Sequence, residues 1–215
     1  MTHLKVEDLV DGMTSCADNA RKLAADARRL YGVRRYSSAG ALAISSLEES
    51  GKVLLLSTAA TTIVRKREPD WSEFWREWRK HDSKVKLASF LDLGAHGADA
   101  ADLAMRAFIL GDLSKLRERF IYVDRGTDSW IEPRNSDRSW VLELLDAAEA
   151  LSERLATETN KKRREWAIDQ LNTIALESSV DNPFIENLKE GFEAIQKRLE
   201  RINDEIEGAQ RGPAG

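Results

Sequence analysis

The chain has 215 residues, with 33 lysines and arginines against 37 aspartates and glutamates, and a formal net charge of −4 at pH 7. That length can bury one well-packed domain, and the mild acidity excludes a general polyanion binder working through bulk charge. With 42% hydrophobic and 33% charged residues, 4 prolines and 12 glycines, the composition excludes disorder and a many-stranded fold, and leaves a helical globule. The lone cysteine, Cys16, permits no intramolecular disulfide and forms no zinc pattern with His3, His81 and His96, so neither a metal nor a cofactor is expected. A reducing, cytoplasmic location is expected. The longest strongly apolar runs, Val53 to Leu56 and Ala107 to Leu110, fall far short of the roughly 20 residues of a membrane span, and Glu7, Asp8 and Asp11 stand where a signal peptide would be apolar.

Met13, Ala17, Ala20, Leu23 or Ala24, Ala27 and Leu30 recur at helical spacing and predict a first helix ending near Gly32. Ser37 and Ser38 are cap candidates for a second helix carrying Leu42, Ile44, Leu47, Leu54 and Leu55, which runs to the basic stretch Thr61 to Arg67. Pro69 and Asp70 start a third helix through Trp71, Phe74, Trp75 and Trp78 to Leu91. A break at Gly94 to Gly97 precedes a fourth, from Ala98 to about Arg119. Phe120 to Pro133 interrupts the helical pattern with two β-favouring runs around Gly126, a loop or small hairpin. Ser136 and Asp137 cap a fifth helix with Val141, Leu144, Ala148, Leu151 and Leu155 inside. After a charged break at Asn160 to Glu165 come Trp166, Leu171 and Ile174. Ile185, Leu188, Phe192, Ile195, Leu199, Ile202 and Ile206 then form a seam suited to lengthwise packing on another helix, of this chain or of a second copy. The division expected is 1–159 for the main helical domain and 160–215 for a helical extension, frayed from Gly208 onward, with no internal repeat.

Two polar clusters interrupt the apolar pattern. In the second helix, Glu48 and Glu49 precede Lys52 by four and three residues, so either carboxylate can reach its ammonium. Gly51 sits in the helix interior, where glycine costs about 1 kcal/mol relative to alanine and often marks close approach of a second backbone or a ligand. The bland interpretation is an exposed salt bridge within one helix. Around the third helix, between Arg65 and Lys86, eight basic residues outnumber five acidic ones, which marks the place for an anion. Trp71, Trp75 and Trp78 could stack on bases, although a tryptophan stripe at this spacing more often belongs to a core or an interface. His81 precedes Lys84 by three residues and shares its face, whereas an unbroken helix turns Arg76 about 140° away. A histidine among cations suits metal-independent RNA cleavage, in which a base near neutrality takes the 2′-hydroxyl proton and cations stabilise charge on phosphorus.

Asn19 to Leu30 (NARKLAADARRL), Leu47 to Lys52 (LEESGK), His81 to Lys84 (HDSK) and Tyr122 to Asp124 (YVD) before Pro133 together resemble the abortive-infection V (AbiV) family of bacterial phage-resistance proteins. That family is grouped with the HEPN (higher eukaryotes and prokaryotes nucleotide-binding) helical domains, and the resemblance covers about the first two thirds of the chain. It implies an all-α HEPN-like bundle, a homodimer, and an Arg-x(4 to 6)-His motif that cleaves RNA across a dimer cleft. Arg76 to His81 is the one match to that motif, with Glu77 where such ribonucleases carry a small polar residue. The family's Glu-Glu-x-Gly-Lys and His-x-x-Lys elements fall on Glu48, Glu49, Gly51, Lys52, His81 and Lys84, which are expected to form one polar centre, with Asn19 and Asp26 bonding into it. His81 and Arg76 are thus the candidate catalytic pair. Lys52, Lys84, Arg79 and Lys80 are the phosphate-binding candidates. The expected role is antiviral, with RNA as substrate and a phage-encoded protein as possible trigger. The competing expectations are a dimeric binding module that captures a phage or translation component, a partner of a nucleotidyl-transferase, and a polar centre that only locks helix register.

Overall fold

The computed structural model describes residues 3–97, 112–122, 124–125, 130–131 and 138–158, and residues 190, 191, 193–195, 197 and 201 near the C-terminus. Its elements are α1 (Val6–Gly32), α2 (Tyr36–Val64), α3 (Trp71–Arg79), α4 (His81–His96), α5 (Asp112–Ile121), a hairpin of β1 (Asp124–Arg125) and β2 (Trp130–Ile131), and α6 (Arg138–Glu158). The architecture is an all-α bundle with one small hairpin insertion. In the hairpin Asp124 pairs with Ile131 and Arg125 with Trp130, antiparallel.

The chain is organised around α2. Its buried residues lie on every side of the helix, among them Ala39, Ala43, Ile44, Leu47, Gly51, Val53 and Leu56, the pattern of a helix enclosed by others. It packs against α1 along its length and also against α4, α5 and α6. Many of these residues are small, which lets neighbouring backbones approach. At Gly40 an added Cβ would stand 2.6 Å from the Phe120 ring, and at Gly51 it would stand 1.8 Å from the main-chain carbonyl oxygen of Lys84. Gly51 therefore presses α4 onto α2 at the level of Lys84, a contact that any side chain would block.

Polar ties lock the outer helices to this axis. The Ser46 hydroxyl, fully buried, donates to the Ala20 carbonyl of α1 at 2.8 Å. Arg28 of α1 donates through Nε to Glu149 of α6 at 2.8 Å and also pairs with Asp146. The short α1–α2 link turns through Arg34, whose φ of 64° is left-handed, and its amides are satisfied by Tyr31 and Leu30 carbonyls. Backbone bonds close this turn, so α2 starts at Tyr36 after Arg35, ahead of the expected serine caps, and Arg35 makes no side-chain cap bond.

The expected third helix is two helices. Lys80 adopts an extended conformation (φ −81°, ψ 123°) that ends α3 and begins α4. Lys-His-Asp-Ser suits such a restart: Asp82 places negative charge in the first turn of α4, and the Ser83 side chain bonds back to Glu77 of α3. The aromatic stripe belongs to the core, with Trp71 and Phe74 buried and Trp75 and Trp78 packed on them partly buried. The break after α4 falls at Gly97, at a φ of 57°. The start of the expected fourth helix, from Ala98, lies outside the described residues, and its end is α5.

The buried face of α6 is the expected one, with Val141, Leu144, Ala148, Leu151 and Leu155 inside. Most of the C-terminal seam (Ile185, Leu188, Phe192, Leu199, Ile202, Ile206) and the break before it lie outside the described residues. Within them, Ile195 is buried, and Gly191 lies so close to Leu93 of α4 that an added Cβ would be 2.1 Å from its side chain.

Candidate functional site

Two of the buried charges among the described residues, Glu48 and Lys84, lie where α2, α4 and α5 meet. Glu48 points into the bundle with its side chain 7% exposed. His81, the first residue of α4 and half-exposed, is joined through Nδ1 to Glu48 Oε2 at 2.8 Å. A carboxylate only accepts, so with Glu48 ionised Nδ1 carries the proton, and Nε2 is the basic nitrogen whenever the ring is neutral. Arg117 of α5 places Nη1 3.3 Å from Oε1 and 3.4 Å from Oε2 of the same carboxylate. One buried acid thus connects an imidazole and a guanidinium from two other helices.

Glu49 and Lys52 form the second half of the centre. Lys52 Nζ donates to Glu49 at 2.5 Å, with both side chains largely covered, and lies 5.1 Å from the centre of the Trp78 ring. Lys84, 5% exposed, is held below the ordinary lysine range, first by burial and then by Lys52 and Arg117, against the opposing pull of Glu48 and Glu49. Cys16 of α1 borders the same region: burial, and then the charge of and hydrogen bond to Glu49, push its thiol up to about 12.

These placements separate the sequence candidates. Glu48, Glu49, Lys52, His81 and Lys84 come together. Asn19 and Asp26 do not join them. The spacing of seven does put both on one face of α1, but that face is the solvent side, because Ala20, Ala24 and Ala27 take the buried one; Asp26 pairs with Arg29 at 2.7 Å. Arg76, 58% exposed, pairs with Glu73 and Glu77 along α3, and Lys80 donates to Glu77 at 2.8 Å. Arg79 is exposed at the end of α3. Glu77 is held down to about 2, chiefly by its hydrogen bonds to Lys80 and Ser83, so it stays charged beside these cations. The α3 cations therefore form an exposed edge leading to His81 rather than part of the buried centre.

Sequence reasoning missed Arg117, Trp78 as a lid on Lys52, and Cys16 as a neighbour of Glu49. Arg117 had a readable signal. It falls between Leu113 and Phe120 at spacings of four and three, both buried, so it stands on a core-facing stripe where an unpaired cation is not tolerated.

Among the described residues, no group of three or more His, Cys, Asp or Glu side chains is placed to hold a metal ion, and no helix is long and apolar enough to cross a membrane. A family model described as AbiV, of the HEPN group, matches residues 8–153, a span that holds Glu48, His81 and Arg117. Comparison with the curated proteins and with the solved structures finds no significant match. An all-α bundle around an enclosed second helix, with the Glu-Glu-x-Gly-Lys and His-x-x-Lys residues gathered at its centre, agrees with that match over about two thirds of the chain: the protein belongs to the AbiV family of HEPN domains, whose role is abortive infection against phage.

Proposed function

We propose that this chain cleaves RNA without a metal, as a homodimer in the cytoplasm, and so stops translation or phage growth. The observation that carries this reading is the 2.8 Å bond between Glu48 and His81. A buried carboxylate that receives the Nδ1 proton fixes the ring and leaves Nε2 as base, the arrangement by which acid–imidazole pairs activate a hydroxyl. In this reading Nε2 takes the 2′-hydroxyl proton, the freed oxygen attacks the adjacent phosphorus, and the bond from phosphorus to the 5′-oxygen breaks. The 5′-oxygen takes a proton from water, and the hydroxide so formed takes back the proton held on Nε2, leaving a 2′,3′-cyclic phosphate, a 5′-hydroxyl and the neutral imidazole. Arg76, Arg79 and Lys80 guide the phosphates along the exposed edge of α3, while Lys52 and Lys84 offset charge from behind. Only RNA offers the 2′-hydroxyl, so DNA is not cut.

The test is cleavage of a tRNA or mRNA pool in the presence of a chelator. His81→Ala is expected to keep the fold and lose about 100-fold or more in rate, the usual contribution of a general base. Unchanged cleavage by that variant ends the enzyme reading. The alternative, a dimeric module that captures a phage or translation component, is favoured by the adjacent exposed apolar side chains Ile121 and Tyr122. In that case replacing both by serine removes protection against phage, and His81→Ala leaves protection intact.

A further inference from the structure

We infer that Arg117 is a positioning residue: it pairs with the Glu48 carboxylate, holds it as the acceptor facing His81, and thereby fixes which ring nitrogen of His81 carries the proton. The inference builds on the catalytic reading of His81, but its geometry stands apart from any reaction.

Glu48 is buried, and an ionised carboxylate at that depth needs a compensating charge. The groups facing it from the packed helices are His81 and Lys84 of α4, Arg117 of α5, and its neighbours Glu49 and Lys52 on α2, with Cys16 of α1 bordering Glu49. Lys52 is committed to Glu49. Lys84 is itself buried, and no hydrogen bond joins it to Glu48 among the described contacts. His81 compensates Glu48 only while protonated, the state in which it has no basic nitrogen to offer. Arg117 alone among these reaches both carboxylate oxygens and stays charged at any pH compatible with folding. Oε1 is buried without a hydrogen-bond partner, so the guanidinium 3.3 Å away supplies its compensation. With Arg117 paired to the carboxylate, Glu48 faces the ring as an acceptor, and a neutral ring donates to it from Nδ1.

The measurement is nitrogen-15 NMR of the intact protein labelled in histidine, at about pH 8, where a free imidazole is neutral. Wild type is expected to show His81 in the Nδ1–H form; His81 found in the Nε2–H form overturns the inference. Arg117→Gln, with folding checked by circular dichroism, is expected to shift His81 to a mixture of both forms and to lower the rate of RNA cleavage about tenfold. Arg117→Lys, which keeps the charge, is expected to preserve the Nδ1–H form and to restore most of the rate. A folded Arg117→Gln protein with an unchanged tautomer, or a folded Arg117→Lys protein that loses it, overturns the inference, and the lysine variant decides the matter if the glutamine one fails to fold. If the tautomer responds as expected while His81→Ala still cleaves RNA, the ribonuclease reading fails and the role of Arg117 in holding the ring survives.

Discussion

The charges along α3 and the charges at the α2, α4 and α5 junction belong to neighbouring stretches of chain but differ in what surrounds them. On α3, Glu73, Arg76, Glu77 and Lys80 satisfy one another at spacings of one and three along a surface helix, and water screens every one of these pairs. At the junction, Glu48 is enclosed and draws His81 and Arg117 from helices far apart in sequence. The first kind of charge is cheap and replaceable. The second is expensive, and its cost is borne by partners whose geometry must be correct. The basic cluster of α3 thus lies on the surface, and the enclosed acid of α2 sits where charged groups from other helices gather.

The largest way to break this contrast is to remove the enclosed acid. Glu48→Ala strands Arg117 and Lys84 without their counter-charge, and loss of one partner from a buried pair is expected to cost about 3 to 5 kcal/mol, measured by urea denaturation. Gly51→Ala comes next. Its methyl group meets the main-chain carbonyl of Lys84, which cannot rotate away, so α4 must lift from α2. A loss of about 3 kcal/mol follows and, under the proposed ribonuclease reading, RNA cleavage weakens because His81 moves with α4. A smaller effect is expected at Cys16, where the native state holds a proton that the unfolded chain releases near 9.0. Its contribution is complete below pH 9 and is lost as pH rises toward about 12, so stability should fall across that window in wild type and stay flatter in Cys16→Ala. The smallest effect belongs to the surface. Arg76→Gln should change stability by about 0.5 kcal/mol or less and, under the proposed ribonuclease reading, raise the KM for RNA a few-fold with kcat nearly unchanged, a change that added salt should mask in wild type.

Much of this architecture was legible in the sequence. Apolar spacing identified α1 and α6 with their buried faces, because those periods are dictated by core packing, and it located α2, whose buried residues lie on every side. The restart at Lys80 was hidden: Trp78 and Val85 are seven residues apart, so apolar spacing runs through the break as if one helix continued, and only the cap-favouring Asp82 and Ser83 hint at it. LEESGK flagged an acidic pair and an interior glycine without deciding between an exposed salt bridge and a polar centre, and the structure buries Glu48 and packs Gly51 against the Lys84 main chain. Asn19 and Asp26 misled because a spacing of seven defines a shared face but not which face is covered. Arg117 escaped notice because its partner is 69 residues away, a distance at which sequence carries no pairing information.

The most direct test of the account is the coupling between His81 and Glu48 in RNA cleavage, read from a cycle of His81→Ala, Glu48→Gln and the double variant. If the carboxylate acts through the imidazole, the double variant is no slower than His81→Ala alone. Losses that multiply, or a wild-type protein that leaves RNA intact, would contradict it.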